Sequence, residues 1–403
     1  MNNPLRPEPW KDELELSALD GCNDQIGAQH PQSPTLVLSS VWQMANPDAA
    51  DRVLQGSTDE FVYRRDGHPN ASSLASVLAR LHGGCFGVLT AQGMSALAAL
   101  VLSELQPHSQ VWLANELYGK STALFSNQLQ KWGISYHSFD PTSPEDLEAL
   151  TNSQCDMVLV ETISNPRLRV ADLEKLATAT HAAGSKLAVD NTFATHLLCR
   201  PLDLGADWVI ESLGKIVNGH SDTMLGLLVG NDPDRQQAIN QTVSTFGLAS
   251  SPLDCYLTNR GLMSLAVRME RANQNAAALA TALQTMNSAL RVDYPGLVTH
   301  PQHKTAARIL RGGFGWMLTV GTGLARPQVA ELFNSLAPEI PFVPSLGDVM
   351  TTVSHPSSTS HRGLTAQARD ELGIDEGTVR ISCGIEPTAW LVDRFSRALQ
   401  NCL

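Results

Sequence analysis

The chain has 403 residues, 43% hydrophobic and 17% charged, the balance of a soluble globular enzyme with room for two or three domains. A formal net charge of −12 argues against nucleic acid or an anionic membrane as its main partner. Seven scattered cysteines (Cys22, Cys85, Cys155, Cys199, Cys255, Cys383, Cys402) with no CxxC pair exclude a disulfide framework or a zinc site and point to reduced thiols.

The first twenty residues, MNNPLRPEPWKDELELSALD, carry acidic side chains where a secretory signal needs an apolar run. No stretch approaches the length of a membrane span, so the expected location is cytoplasmic. Residues 1–60 are rich in Pro, Asp, Asn and Gln, with one apolar piece from Thr35 to Leu38. They read as an arm that packs on a neighbouring subunit. Ala71 to His82 then places Leu74, Val77, Leu78 and Leu81 at helical spacing, and Gly83-Gly84 ends that helix. A strand-like run, Phe86 to Leu89, leads through Thr90-Ala91-Gln92-Gly93-Met94-Ser95 into a second helical pattern. Strand, glycine turn and helix N-terminus in that order present backbone N–H groups to a phosphate.

Further strand-like runs are Gln110 to Leu113, Met157 to Val160, Lys186 to Val189 and Trp208 to Ile210. Helical patterns separate them, among them ADLEKLATATHAAG, which ends at Gly184. Short apolar runs alternating with helices predict an α/β domain over residues 61–256, its mostly parallel sheet covered on both faces. Ligands collect at the carboxyl ends of such strands. Glu161, Asp190, Ser212 and the Gln92-Gly93-Met94 turn all fall there. One long helical pattern runs from Leu257 to Met286. GWMLTVGTG, a helix near Gln328 to Leu336, VRISCGIE and a last helix near Thr388 to Leu399 follow, and predict a smaller α+β domain over 257–403.

Two tempting motifs fail. GKS at Gly119 to Ser121 lacks the glycine that a P-loop needs five residues earlier, where Ala114 stands, and no GxGxxG follows a strand. The histidines match no metal spacing; His300 and His303 flank Pro301, which favours a loop. More informative is the stretch from Val189 to Gly226. It sets Asp190 at one strand end and Lys215 just past the next. An amine to form a Schiff base and an anion for a pyridinium nitrogen are what a pyridoxal phosphate site requires.

The segments VDNTFAT, RPLDLGAD, NGHSD, ETISNP, PSLGD, SHPSSTSH and VRISCGIE together resemble the Cys/Met-metabolism family of pyridoxal phosphate enzymes. That family includes cystathionine γ-synthases, cystathionine lyases, methionine γ-lyases and homoserine sulfhydrylases. The resemblance runs from about residue 35 to the C-terminus and implies the aspartate-aminotransferase-like fold (fold type I). It implies Lys215 as the Schiff-base lysine and Asp190 as partner of the ring nitrogen. Asn165 is similar to the residue on the ring hydroxyl, and Tyr118 to the tyrosine that stacks on the ring and exchanges protons. Gly93, Met94 and Ser212 resemble the phosphate ligands. Tyr63 and Arg65 resemble a pair that grips the phosphate of a neighbouring subunit, implying a homotetramer of dimers with shared sites. Arg380, assisted by Ser345, resembles the clamp on the substrate α-carboxylate.

The chain also departs from the family. Gly214 stands where relatives usually have Ser or Thr, a lost hydrogen bond to phosphate worth on the order of 1.5–3 kcal/mol. His68 and Asn70 alter the usual GNPT, His196 replaces a proline, Lys120 replaces the cysteine of methionine γ-lyases, and Pro344 replaces a common glutamate. The expected function is γ-replacement on an O-activated homoserine by a thiol, of cystathionine γ-synthase or homoserine sulfhydrylase type. A cystathionine or methionine lyase is the alternative. A non-catalytic binding module, supported only by Gly214 and the GHPN motif, is the third reading.

Overall fold

The computed structural model describes Ala18, residues 31–55 and residues 60–402. The expected arm over 1–60 thus lies in good part outside the described residues. The central sheet has seven strands: β1 (Phe86–Thr90), β2 (Gln110–Ala114), β3 (Ser135–Phe139), β4 (Met157–Glu161), β5 (Lys186–Asp190), β6 (Trp208–Ser212) and β7 (Gly226–Gly230). Their spatial order is β1-β7-β6-β5-β4-β2-β3. The run from β6 to β3 is parallel, and β7 alone runs against its neighbours β6 and β1. β4 and β7 are buried along their whole length, as central strands covered on both faces must be. β3 and β7 were not among the sequence-read strands. SYHSF lies at the sheet edge with only Phe139 buried, so it lacks the apolar run that marks the others.

Two helices flank the β1 turn. The Pro69–His82 helix opens on His68, whose Nδ1 accepts the Ala71 N–H, and closes on Gly83 in the left-handed region. Burial lowers the His68 pKa to about 4, which keeps the imidazole neutral and able to accept. Asn70 donates to the Thr35 carbonyl and accepts from the Val37 N–H, at 2.7 and 3.0 Å. The altered GHPN motif therefore has structural work: His68 caps a helix and Asn70 ties down the chain ahead of it. His196 has a similar explanation. It packs edge-on to His82, ring centroids 5.5 Å apart, and His82 pairs with the buried Glu211 at 2.8 Å.

The second sheet is antiparallel, in the order β10 (Thr352–Ser354), β11 (Thr378–Ser382), β9 (Met317–Gly321) and β8 (Arg291–Asp293). It has its own apolar core of Val320, Leu332, Val353, Ile381 and Phe395 among others. The single helix expected from Leu257 to Met286 is two, Pro252–Leu262 and Leu265–Met286. Arg268 marks the break: its guanidinium folds back to the Gly261 carbonyl and the Ser264 hydroxyl. The longer helix gives Leu265, Met269 and Ala272 to the large core and Ala276, Leu279 and Leu283 to the small one. Trp316, fully buried just before β9, donates its indole N–H to the Phe193 carbonyl at 2.9 Å and pins the small sheet to the loop after β5.

Candidate active site

A cavity of about 270 Å³ opens at the carboxyl ends of β4, β5 and β6, close to the range of small-molecule sites. Gly93, Met94, Tyr118, Asn165, Asp190, Ser212, Lys215, Ser345 and Arg380 all line it, residues spread over nearly 290 positions of sequence. Each arrives by a definite route. Asp190 and Ser212 are the last residues of β5 and β6, and Glu161, which also lines the cavity, is the last of β4, paired in register with Asp190. Gly93 opens the Gly93–Glu104 helix, whose N-cap, Gln92, makes no side-chain hydrogen bond, so the first N–H groups remain for a ligand.

Lys215 follows β6 in a turn held from outside. Arg268 reaches from the long helix to the carbonyls of Ile216 and Val217. The PSLGD segment closes over the same turn, and Gly347 is what lets it approach: a Cβ there would lie 2.4 Å from the Ile216 nitrogen. Gly347 also has φ +82°, a conformation few other residues adopt cheaply. Its N–H is bound by the Ser382 hydroxyl of β11, and Asp348 accepts from Ser221. The result places Ser345 Oγ 3.4 Å from Lys215 Nζ. PSLGD, NGHSD and VRISCGIE thus form one packed unit around the lysine.

The electrostatics are unbalanced in an informative way. Burial lifts the Asp190 pKa to about 6, opposed by two hydrogen bonds from Thr192, at 3.0 Å from its N–H and 2.6 Å from its hydroxyl. Among the described residues no cation pairs with Asp190. Arg380 on β11 is only 3% exposed and gives one guanidinium nitrogen to Asn165 Oδ1 at 2.8 Å. Burial lowers its pKa to about 10, and no carboxylate pairs with it among the described residues. Burial, followed by the field of Arg380, also lowers the Lys215 pKa. Burial, then Asp190, pushes the Glu161 carboxyl well above the usual range; it accepts the Tyr118 N–H at 2.7 Å and so fixes where that half-exposed ring sits. A part-buried anion without a cation and a buried cation without an anion face one cavity.

Sequence reading missed Thr192, Glu161 as the Tyr118 anchor, and Arg268. Thr192 was findable: a Thr two residues after a strand-end Asp is an Asx-type turn pattern. Arg268 had no sequence signal as an anchor of the Lys215 turn, because its partners there, the carbonyls of Ile216 and Val217, lie about fifty positions away. Tyr63 and Arg65 do not line the cavity. They sit on a segment paired with residues 40–42, the Arg65 guanidinium 5.1 Å from its own Tyr63 ring. Arg65 borders a separate basin of about 360 Å³ with Arg64, His68 and Arg80.

Residues 20–400 match the model of the Cys/Met metabolism PLP-dependent enzymes. The chain belongs to this family. It is therefore a pyridoxal-phosphate-dependent enzyme acting on amino-acid substrates, which sets aside the binding-module reading. The family's members include a cystathionine gamma-synthase of Mycobacterium tuberculosis, 35% identical over 342 residues, 84% of this chain and 86% of the relative. A cystathionine beta-lyase of Lactococcus lactis subsp. cremoris is 32% identical over 346 residues, 86% of this chain and 90% of the relative. Among solved structures, cystathionine gamma synthase from Xanthomonas oryzae pv. oryzae in complex with cystathionine superposes with a TM-score of 0.90 at 34% identity, covering 96% of this chain and 98% of that one. The aspartate-aminotransferase-like α/β fold follows. No described helix is long and apolar enough to cross a membrane.

The residues present fit the family's cofactor. Asp190 is a part-buried carboxylate in want of a cation, as a protonated ring nitrogen would supply, and the uncapped helix N-terminus beside Ser212 suits a phosphate.

Proposed function

We propose that the enzyme catalyses γ-replacement on an O-activated homoserine: a thiol or sulfide takes the place of the γ-acyloxy group, giving a thioether or thiol amino acid and a carboxylic acid. The observation that supports an amino-acid substrate on this cofactor is the pair of unmatched charges, Asp190 for a cationic ring and Arg380 for a carboxylate, lining one cavity with Lys215. The likeness to cystathionine gamma-synthases over most of the chain favours replacement. Bound pyridoxal phosphate would supply an electron sink for the electron pair left when the substrate Cα loses its proton.

The chain's own groups have separable tasks. Arg380, with Ser345, holds the substrate carboxylate in a charge-assisted hydrogen-bonded clamp. Lys215 carries the cofactor at rest; once displaced, its amine moves a proton from Cα. Burial favours the neutral amine that this step needs. Asp190, oriented by Thr192, faces the ring nitrogen, and Asn165 faces the ring hydroxyl. Tyr118 stacks on the ring and exchanges protons with the substrate. The N–H groups of Gly93 and Met94 and the Ser212 hydroxyl hold the phosphate. Tyr63 and Arg65 of a second copy complete that grip, so the working form is at least a dimer; family resemblance extends it to a homotetramer built from such dimers. The same groups would serve a lyase, and the match to a cystathionine beta-lyase over most of the chain supports that second reading.

The deciding assay offers O-succinylhomoserine or O-acetylhomoserine with cysteine or sulfide, and cystathionine separately. Formation of cystathionine or homocysteine from an acylhomoserine supports replacement. Keto acid and ammonia from cystathionine, with no replacement product, would transfer the assignment to the lyase. Lys215→Ala should abolish turnover and borohydride fixation of the cofactor; appreciable turnover in that variant would rule out its role.

A further inference from the structure

The phosphate end of the cavity contains a hydroxyl that the reading above does not use. Thr223 lines the cavity beside Ser212 and Gly214, and is only 8% exposed. Its Oγ1 is buried and has no hydrogen-bond partner among the described residues. A buried hydroxyl left without a partner is unfavourable unless a ligand or water satisfies it. Nearby hydroxyls are already engaged: the Thr192 hydroxyl donates to Asp190 and accepts the Ser212 N–H.

The backbone explains why Thr223 stands so close. The Leu213 N–H donates to the Leu225 carbonyl at 2.9 Å, so the segment before β7 runs back antiparallel along the segment after β6. A Cβ at position 214 would lie 2.6 Å from the Thr223 carbonyl oxygen. Real Cβ atoms do not approach a carbonyl that closely. A serine or threonine at 214 would therefore have to push the Thr223 main chain away. Gly214 and Thr223 are two halves of one arrangement: the glycine admits the segment before β7, and that segment brings a hydroxyl.

We propose that Thr223 is a further ligand of the cofactor phosphate, its hydroxyl supplying the hydrogen bond that position 214 cannot make. The proposal rests on the reading of Gly93, Met94 and Ser212 as the phosphate cradle. A hydroxyl donating to a phosphate oxygen makes a charge-assisted bond, so its loss should weaken binding roughly 10- to 100-fold.

The test measures binding rather than turnover. Full-length apoprotein is titrated with pyridoxal phosphate and, separately, with pyridoxal, which lacks the phosphate. Thr223→Val, nearly the same shape, should weaken pyridoxal phosphate by roughly 10- to 100-fold and leave pyridoxal unchanged, while Thr223→Ser should bind both like the unmodified chain. Unchanged pyridoxal phosphate affinity in Thr223→Val would overturn the proposal. So would an equal loss for both compounds, which would place Thr223 beside the ring. Ser212→Ala separates this from the reading beneath it. If that variant keeps the full preference for pyridoxal phosphate over pyridoxal, the cradle itself is misplaced.

Discussion

At the scale of single residues, Asp190 has the sharpest consequence. Its folded pKa of about 6 stands above the ordinary carboxylate value of 3.8, so between those two values the fold binds a proton that the unfolded chain has released. Stability of the apoprotein therefore falls as pH rises through that window, because the carboxyl must ionise in a buried site with no cation. Asp190→Asn lacks this penalty. Thermal melts of the apoprotein and of Asp190→Asn should thus diverge from about pH 4 to pH 6, the parent losing ground, and run parallel above. With pyridoxal phosphate bound, the cationic ring nitrogen supplies the missing partner and the divergence should shrink or reverse. A constant difference across that range in the apoprotein would mean that Asp190 is not the uncompensated carboxyl described here. Thr192 belongs to the same argument: Thr192→Val removes the shorter of its two bonds and should widen the window upward.

At the scale of elements, the chain's legibility divides by how local the signal is. The apolar runs of β1, β2, β4, β5 and β6 were readable, since a strand buried on both faces needs nothing but apolar residues. So were Asp190, Ser212 and the Gly93 turn, because a strand end is a local feature. β3 was not readable, as an edge strand with a largely exposed face is written in polar residues. β7 was not either: Gly226 and Gly230 bound a run of three apolar residues, and only pairing with β6 and β1 makes it a strand. The break at Met263-Ser264 was hidden because apolar periodicity continues across it, with Leu262 and Leu265 both in the core. The break is held by Arg268, a residue of the second helix whose other partners are distant in sequence. Arg268 binds carbonyls of Ile216, Val217 and Gly261, joining the long helix to the turn that carries Lys215. Arg268→Met would leave the buried carbonyls of Ile216 and Val217 unmatched, while the Gly261 carbonyl keeps the Ser264 N–H, and should cost on the order of 2–3 kcal/mol in a chemical denaturation curve. A structural role alone would stop there. Because the turn positions the lysine, the variant should also raise the borohydride dose needed to fix the cofactor, and Arg268→Lys should restore little, since an ammonium cannot present the same planar fork.

At the scale of the whole molecule, one chain holds every proposed site residue around a single cavity except Tyr63 and Arg65. Those two lie on the segment paired with residues 40–42, where Leu38 and Val41 are 63% and 58% exposed. Apolar side chains open to that degree, beside a tyrosine and an arginine with no acidic partner among the described residues, suit a surface that meets another copy. The proposed shared site then makes a prediction that separates it from a self-contained one. Lys215→Ala and Arg65→Ala chains are each impaired, the second at limiting cofactor. Mixed in one dimer, they generate two unlike sites. One takes its lysine and its arginine from the two altered positions and is dead twice over. The other takes Lys215 from the Arg65→Ala chain and Arg65 from the Lys215→Ala chain, and is intact. Random pairing makes half the dimers mixed, with one good site in each, so co-refolding equal amounts should recover about one quarter of the parent activity. If Arg65 served its own chain's cavity, every site in every dimer would carry a lesion. Activity would then stay at the mean of the two variants, and the oligomer would be a matter of packing rather than of catalysis.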